Sequence, residues 1–201
     1  MRISDDRYSR DRLRLDLALR FIRHEARTHT IRAWTGLTDD RIRKLYRSYL
    51  NEKSEEAVPR HRGKSPQQPA FFTRTPRIQH ETALLASLYC LFGLVPGRYL
   101  PDGGRTLPGV LRGELLCQAF EVYRLIVQTP QITFEHAVFL VTSLMRGEVL
   151  KVTGCSECNS VLVVDRLRLR DALCLYCTRP DDSCMTPEER AALSEAAVAR
   201  C

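Results

Sequence analysis

The sequence predicts a mostly α-helical chain that ends in a small four-cysteine module. Three observations lead there. Apolar residues recur at helical spacing over residues 9–27, 79–93, 110–129 and 133–150. Residues 28–50 have the shape of a helix-turn-helix-like corner. Residues 155–177 hold two Cys-x-x-Cys pairs with fifteen residues between them. The division that follows is a helical body over residues 1–150, a module over 151–178 and a polar tail over 179–201.

The first helix is expected over residues 9–27. Leu13, Leu17 and Phe21 repeat every four residues, and Leu15, Leu19, Ile22 and Ala26 widen the stripe, so this helix should meet more than one neighbour. A second, short helix is expected to end near Thr35. Gly36 permits the left-handed turn of a tight corner, Leu37 plugs it, and Thr38 is a good cap for a third helix with Asp39 and Asp40 in its first turn. That helix should bury Ile42, Leu45 and Tyr49 and expose Arg41, Arg43, Lys44 and Arg47, which are candidate contacts to nucleic acid. Two features depart from a DNA-reading corner. Arg32 stands where a small side chain is usual, and Asp39 with Asp40 would repel phosphates from the helix N-terminus. A purely structural corner is the other reading.

Residues 51–78 read as a linker, with a basic, proline-containing arm over 51–69 and Phe71-Phe72 as its anchor onto the body. The helix at 79–93 has little polar face and stops at Gly93. Residues 96–109 hold four glycines and three prolines, a loop. The helix at 110–129, with Leu115, Leu116, Ala119, Val122, Tyr123, Ile126 and Val127 inward, is stopped by Pro130, and the one at 133–150 feeds directly into the module. In the tail, Thr186 and Glu189 form a capping box with Pro187 at the first helical position, so a short helix to about Val198 is expected.

The module carries the strongest chemical signal. Two residues between cysteines let the backbone turn and aim both sulfurs at one point. Two such knuckles supply four thiolates in a tetrahedron, the arrangement of a structural zinc site. The ligands would be Cys155, Cys158, Cys174 and Cys177, around one structural Zn²⁺. With four protein ligands, no position is left for water or substrate. Residues 160–165 read as a strand and 166–171 as the turn back toward the second knuckle, a zinc-ribbon-like hairpin that would present Arg166, Arg168 and Arg170 from a rigid loop. Two disulfides, four free thiols or an iron–sulfur cluster are the other readings of the same pattern. Cys90 and Cys117 lie in apolar surroundings and read as small buried hydrophobes.

Composition bounds the rest. Hydrophobic residues at 44% exclude a globally disordered chain. No apolar run approaches the length of a membrane span. The first twenty residues are charged throughout, with no signal-peptide core, so a cytoplasmic protein is expected. Charge is uneven: residues 1–112 carry 22 Lys and Arg against 12 Asp and Glu, residues 113–201 carry 9 against 12, and together they give the net +7. A basic first half points to an anionic partner, most often nucleic acid. No glycine-rich phosphate loop, nucleophile elbow or HExxH motif is present, and His24, His29, His61, His80 and His136 show no catalytic spacing. The chain is therefore not expected to be an enzyme.

Three segments of the chain resemble the FlhC family, a component of the bacterial flagellar transcriptional activator. They are Leu37-Thr-Asp-Asp-Arg-Ile-Arg-Lys-Leu-Tyr46 with Ser65-Pro downstream, the run of buried helices over residues 78–142, and Gly147-Glu-Val-Leu-Lys-Val-Thr-Gly-Cys155-Ser-Glu-Cys158 closed by Cys174-Leu-Tyr-Cys177. The resemblance spans roughly residues 10–178. It implies zinc on the four cysteines, assembly with an FlhD-type protein into a hetero-hexamer, binding to promoter DNA upstream of flagellar genes, and recruitment of RNA polymerase. From the residues alone, the rival is a zinc-ribbon interaction module whose basic face docks an acidic protein and does not bind DNA specifically.

Overall fold

A computed structural model of the protein describes residues 3–52, 61, 63, 65–96, 109–169 and 171–178. Six α-helices are followed by one hairpin among these residues. The helices are α1 (Ile3–Arg23), α2 (Thr28–Thr35), α3 (Asp39–Glu52), α4 (Pro76–Leu91), α5 (Gly109–Ile126) and α6 (Phe134–Arg146), with a 3-10 turn at Pro69–Thr73 ahead of α4. Strands β1 (Leu150–Gly154) and β2 (Val161–Asp165) pair antiparallel, Leu150 opposite Asp165 and Gly154 opposite Val161. Arg170, the tail helix, most of the glycine-rich loop and much of the basic arm lie outside the described residues.

One core joins all six helices. Leu17, Phe21 and Ile22 of α1, Ile31 of α2, Ile42 of α3, Leu85 and Tyr89 of α4, Leu116 and Tyr123 of α5, and Leu140 and Val141 of α6 are all buried within it. The apolar stripe of α1 is shorter than its periodicity predicts, because Leu13 is 54% exposed and packing begins at the half-buried Leu15. The helix also stops at Arg23 and not near residue 27. Glu25 turns left-handed (φ 60°), and the Ala26 N–H returns to the Phe21 carbonyl at 2.9 Å. A glutamate in that conformation leaves no glycine in the sequence to mark the stop.

The corner forms as its residues require. Gly36 sits at φ 69° and donates its N–H to the Arg32 carbonyl at 2.9 Å, while Leu37 is buried. On α3, Ile42 and Tyr46 are buried and Leu45 packs against the core; the Tyr46 hydroxyl donates to the Ala26 carbonyl at 2.7 Å. The side chain of Tyr49 lies outside the described residues. Phe71 and Phe72 do anchor the chain ahead of α4, Phe71 stacked on His136 at 4.0 Å and Phe72 on Phe139 at 6.0 Å. Helix α4 starts at Pro76, earlier than its apolar run implies, because the Thr75 hydroxyl accepts the Ile78 N–H and Pro76 takes the first helical position.

Two polar contacts tie the helices across the core. Arg20 of α1 donates to both carboxylate oxygens of Glu121 at 2.9 and 2.6 Å, and it also pairs with Glu114. Glu81 of α4 is buried and accepts from Tyr123, from the Gln131 N–H and from Arg77.

The α1–α5 crossing depends on one missing methyl. A Cβ at Gly113 would stand 2.6 Å from Leu17 Cδ2, and Leu17 is fully buried. In an open helix Gly→Ala gains about 1 kcal/mol. Here Gly113→Ala is expected to lower stability instead, because overpacking costs about 1–3 kcal/mol. Urea denaturation of Gly113→Ala, Leu17→Ala and the double variant checks this. The double variant should be more stable than the sum of the two singles.

Candidate metal centre

The chain leaves α6 through Gly147 at φ 63°, whose N–H closes on the Ser143 carbonyl at 2.9 Å. Of residues 147–150, which the apolar pattern extends into the helix, 147–149 instead turn the chain, and Leu150 is already in β1. The hairpin is therefore built differently from the sequence expectation. Its two strands flank the first knuckle: β2 stands where a strand is expected over residues 160–165, its partner β1 precedes the first knuckle, and residues 171–173 ahead of the second knuckle form no strand. Strand β2 lies against α4, and Tyr176 of the second knuckle meets the His80 ring of α4 at 6.3 Å. The module is thus seated on the helical body.

Local hydrogen bonds shape both knuckles. In the first, the Asn159 N–H donates to the Cys155 carbonyl at 3.0 Å, and the Cys155 N–H to the Ser160 carbonyl at 2.8 Å. Asn159 takes the left-handed conformation (φ 58°), which asparagine tolerates better than most residues. In the second, the Cys177 and Thr178 N–H groups close on the Cys174 carbonyl at 3.1 and 2.9 Å. The knuckles are linked by the Ser156 N–H on the Ala172 carbonyl at 2.9 Å and by the Cys174 N–H on Cys155 Sγ at 3.3 Å.

These bonds bring the sulfurs of Cys155, Cys158, Cys174 and Cys177 within 4.8 Å of one another, with Cys158 and Cys174 at 3.6 Å. All four thiols are free, and a disulfide needs its sulfurs at about 2.05 Å. Four sulfurs around one ion at 2.3 Å bonds stand about 3.8 Å apart. The quartet therefore fits a single metal ion. Thiolates on a multi-iron cluster ligate different irons and stand farther apart.

The protonation of the quartet agrees with a cation site. Backbone N–H groups aim at the Cys155 sulfur, foremost that of Cys158, and hold its thiol down to about 6 against the opposing effect of burial. Cys177 goes the other way, pushed up by its contact with the Cys174 sulfur and then by burial. Cys155 and Cys174 are both lowered while Cys177 is raised, as expected where negative charges crowd together. A divalent ion relieves that repulsion and displaces the remaining protons.

The candidate nucleic-acid residues fall on two surfaces. Arg41, Arg43, Lys44 and Arg47 are all exposed along α3. Arg41 pairs with Asp11 at 3.6 Å, Arg43 with Asp40 at 2.9 Å, and Arg47 donates to the Arg43 carbonyl. Arg32 pairs with Asp39 at 3.5 Å, so the acids at the start of α3 answer local cations. On the module, Arg166 and Arg168 are exposed, and Arg168 shares a surface depression with Cys155. The Arg166 guanidinium donates to the Gly147 carbonyl and pins the hairpin to the end of α6. Lys151 on β1 adds a further exposed cation, which an alternating strand pattern over 150–154 would have revealed. Cys117 is buried and its thiol pushed up by burial, and Cys90 is half-buried.

No helix among the described residues is long and apolar enough to cross a membrane. Comparison with protein-family models and with curated proteins finds no match to this chain.

Proposed function

We propose that the chain is a zinc-containing, DNA-binding subunit of a cytoplasmic transcriptional activator of the FlhC type, acting with an FlhD-type partner in a hetero-hexamer at flagellar promoters and recruiting RNA polymerase. The observation that carries the reading is the four-thiol quartet at the end of a helical body, on a module that exposes Lys151, Arg166 and Arg168. Thiolate ligands, a tetrahedral quartet and a site closed to solvent ligands favour zinc over harder cations. Zinc would hold the module in one shape, and its cations would meet the phosphate backbone. The basic first half of the chain adds a long-range attraction to DNA.

A second reading has its own support. Two of the four α3 cations, Arg41 and Arg43, are answered by acids, and the module exposes Leu167, Leu169 and Tyr176. An arginine-flanked apolar surface suits docking to an acidic protein.

Promoter binding separates the two. The zinc-loaded chain, co-purified with an FlhD-type partner from the same genome, is titrated with a flagellar promoter and with random duplex over a salt series. The activator reading expects a preference of about a thousandfold and a log–log salt slope of about 0.9 per phosphate contacted. Loss of the preference when either protein is omitted is part of that expectation. Equal, weak binding to both duplexes sinks it and favours protein docking.

A further inference from the structure

Between α2 and α6 there is a cleft of about 600 Å³, within the size range of small-molecule sites. Its apolar wall is made by Trp34 of α2, Val138 and Phe139 of α6, Val149, and Pro66 and Pro69. Trp34 packs on Phe21 at 6.1 Å and Phe139 on Phe72 at 6.0 Å, yet both rings stay only half-buried. A second depression of about 330 Å³ adjoins the cleft and shares Trp34 and Arg146 with it.

Four side chains of the cleft can carry charge: His29, Glu135, Arg146 and Glu148. Glu135 is buried and already engaged, accepting the Arg27 N–H at 2.8 Å and the Thr30 hydroxyl at 3.0 Å. His29 is exposed on the first turn of α2. Arg146 and Glu148 are both exposed, and neither has an ion-pair or hydrogen-bond partner among the described residues. The backbone between them is fixed. Gly147 is left-handed at φ 63°, its N–H closes on the Ser143 carbonyl at 2.9 Å, and its carbonyl accepts from Arg166. One unmatched cation and one unmatched anion thus stand on a pinned turn, next to a half-buried aromatic wall.

A ligand that answers all three features has an apolar body, a carboxylate and an ammonium. An aromatic or fatty acid leaves Glu148 unmatched and brings a second negative charge beside it. An apolar amine does the same to Arg146. An α-amino acid carries both charges one carbon atom apart. We propose that this cleft binds an α-amino acid with a large apolar side chain, its carboxylate on Arg146, its ammonium on Glu148 and its side chain against Trp34 and Phe139. The proposal is independent of the DNA reading, and it would make the chain responsive to a free amino acid.

Trp34 is the only tryptophan of the chain, so its fluorescence reports on the cleft. The full, zinc-loaded chain is titrated with L-phenylalanine, by fluorescence and by calorimetry. Three relatives run alongside: 3-phenylpropionate lacks the ammonium, phenethylamine lacks the carboxylate, and N-acetylphenylalaninamide lacks both charges. Saturable binding of phenylalanine is expected. Removing either charge should weaken it about fivefold, the upper end for an exposed ion pair. Arg146→Gln should weaken phenylalanine about fivefold and leave phenethylamine no weaker. Glu148→Gln should do the same to phenylalanine and leave 3-phenylpropionate no weaker. Both side chains are exposed, so the melting temperatures of the ligand-free variants should not move. Absence of saturable binding in both readouts overturns the proposal. So do equal affinities for all four compounds, or variants that weaken all four alike. Tighter binding of 3-phenylpropionate than of phenylalanine would assign the cleft to an apolar acid and overturn it too. Loss of promoter preference leaves the proposal standing, because no step of this test involves DNA.

Discussion

Cys174→Ser is expected to yield a chain without metal, with the module unfolded and the helical body still folded. Two features of the site produce this result. The module buries little of its own: Leu150, Val164, Ala172 and the sulfurs of Cys155 and Cys174 are its buried apolar groups. A two-stranded hairpin of this kind is marginal in water. Metal binding at structural thiolate sites contributes about 10–16 kcal/mol at neutral pH, and in such modules that is the folding free energy. Serine does not ionise in this range, so a tetrahedral set becomes a poor three-thiolate set. The body, by contrast, has a core from Leu17 to Leu144 to which the module adds only Leu150, with Val152, Val161 and Val163 packed against it. Metal analysis of the purified protein, with far-UV circular dichroism, reads both halves of the prediction. Cys90→Ser is the control and should keep full metal, because Cys90 lies on α4 outside the quartet. A full complement of metal in Cys174→Ser would falsify the site. Metal should also be lost in acid, since each thiolate must be re-protonated for the ion to leave.

Glu81→Ala is expected to be the most damaging change in the helical body. Glu81 is almost fully buried on α4, yet it is an anion with three donors on it. The Tyr123 hydroxyl donates at 2.5 Å, the Gln131 N–H at 2.9 Å and Arg77 at 3.1 Å. Arg77 also donates to the Thr129 carbonyl, so one cluster holds α4, the end of α5 and the connection to α6. Burial alone would push the Glu81 carboxyl up. The bonds from Tyr123, Gln131 and Arg77 outweigh it, and the carboxyl ends below its ordinary range. Truncation leaves the buried Tyr123 hydroxyl and the part-buried Gln131 N–H without their acceptor and removes one of two acceptors of Arg77, at a cost of about 3–5 kcal/mol. At about 2–4 °C per kcal/mol for a chain of this size, the melting temperature should fall by roughly 10 °C. Glu81→Gln keeps an acceptor for Tyr123 and Gln131 and should lose about half as much. The pH dependence has a definite sign. A carboxylate with a depressed folded pKa stabilises fully above its unfolded value of 4.5, and that contribution disappears as pH falls through the folded value. Glu81→Ala should therefore destabilise most near neutral pH and progressively less in acid. A constant deficit down to the acid transition would overturn the account.

The cysteine quartet was legible because spacing along the chain restricts geometry directly. Two residues between Cys155 and Cys158, and again between Cys174 and Cys177, force each pair of sulfurs to converge. The corner at Gly36 and Leu37 was legible for the same reason, since one glycine conformation and one apolar plug determine it locally. Thr75-Pro76, a cap followed by proline, was also a readable start for α4. The apolar run beginning near residue 79 obscured it.

What the sequence by itself determined is the local chemistry: helical stripes, the corner, the two knuckles and the uneven charge. Tertiary structure alone decided which distant groups meet. Nothing in the order of residues places Glu81 under Tyr123, 42 positions away, or His24 beside Glu121, 97 positions away. The docking of β2 on α4, the turn of Arg166 back to Gly147, and the empty space that Gly113 leaves for Leu17 are of the same kind. The physical reason is that hydrophobic periodicity reports only which face of an element is buried. It carries no information about which polar group on a remote element comes within hydrogen-bonding reach of that face, and that is set by how the helices cross.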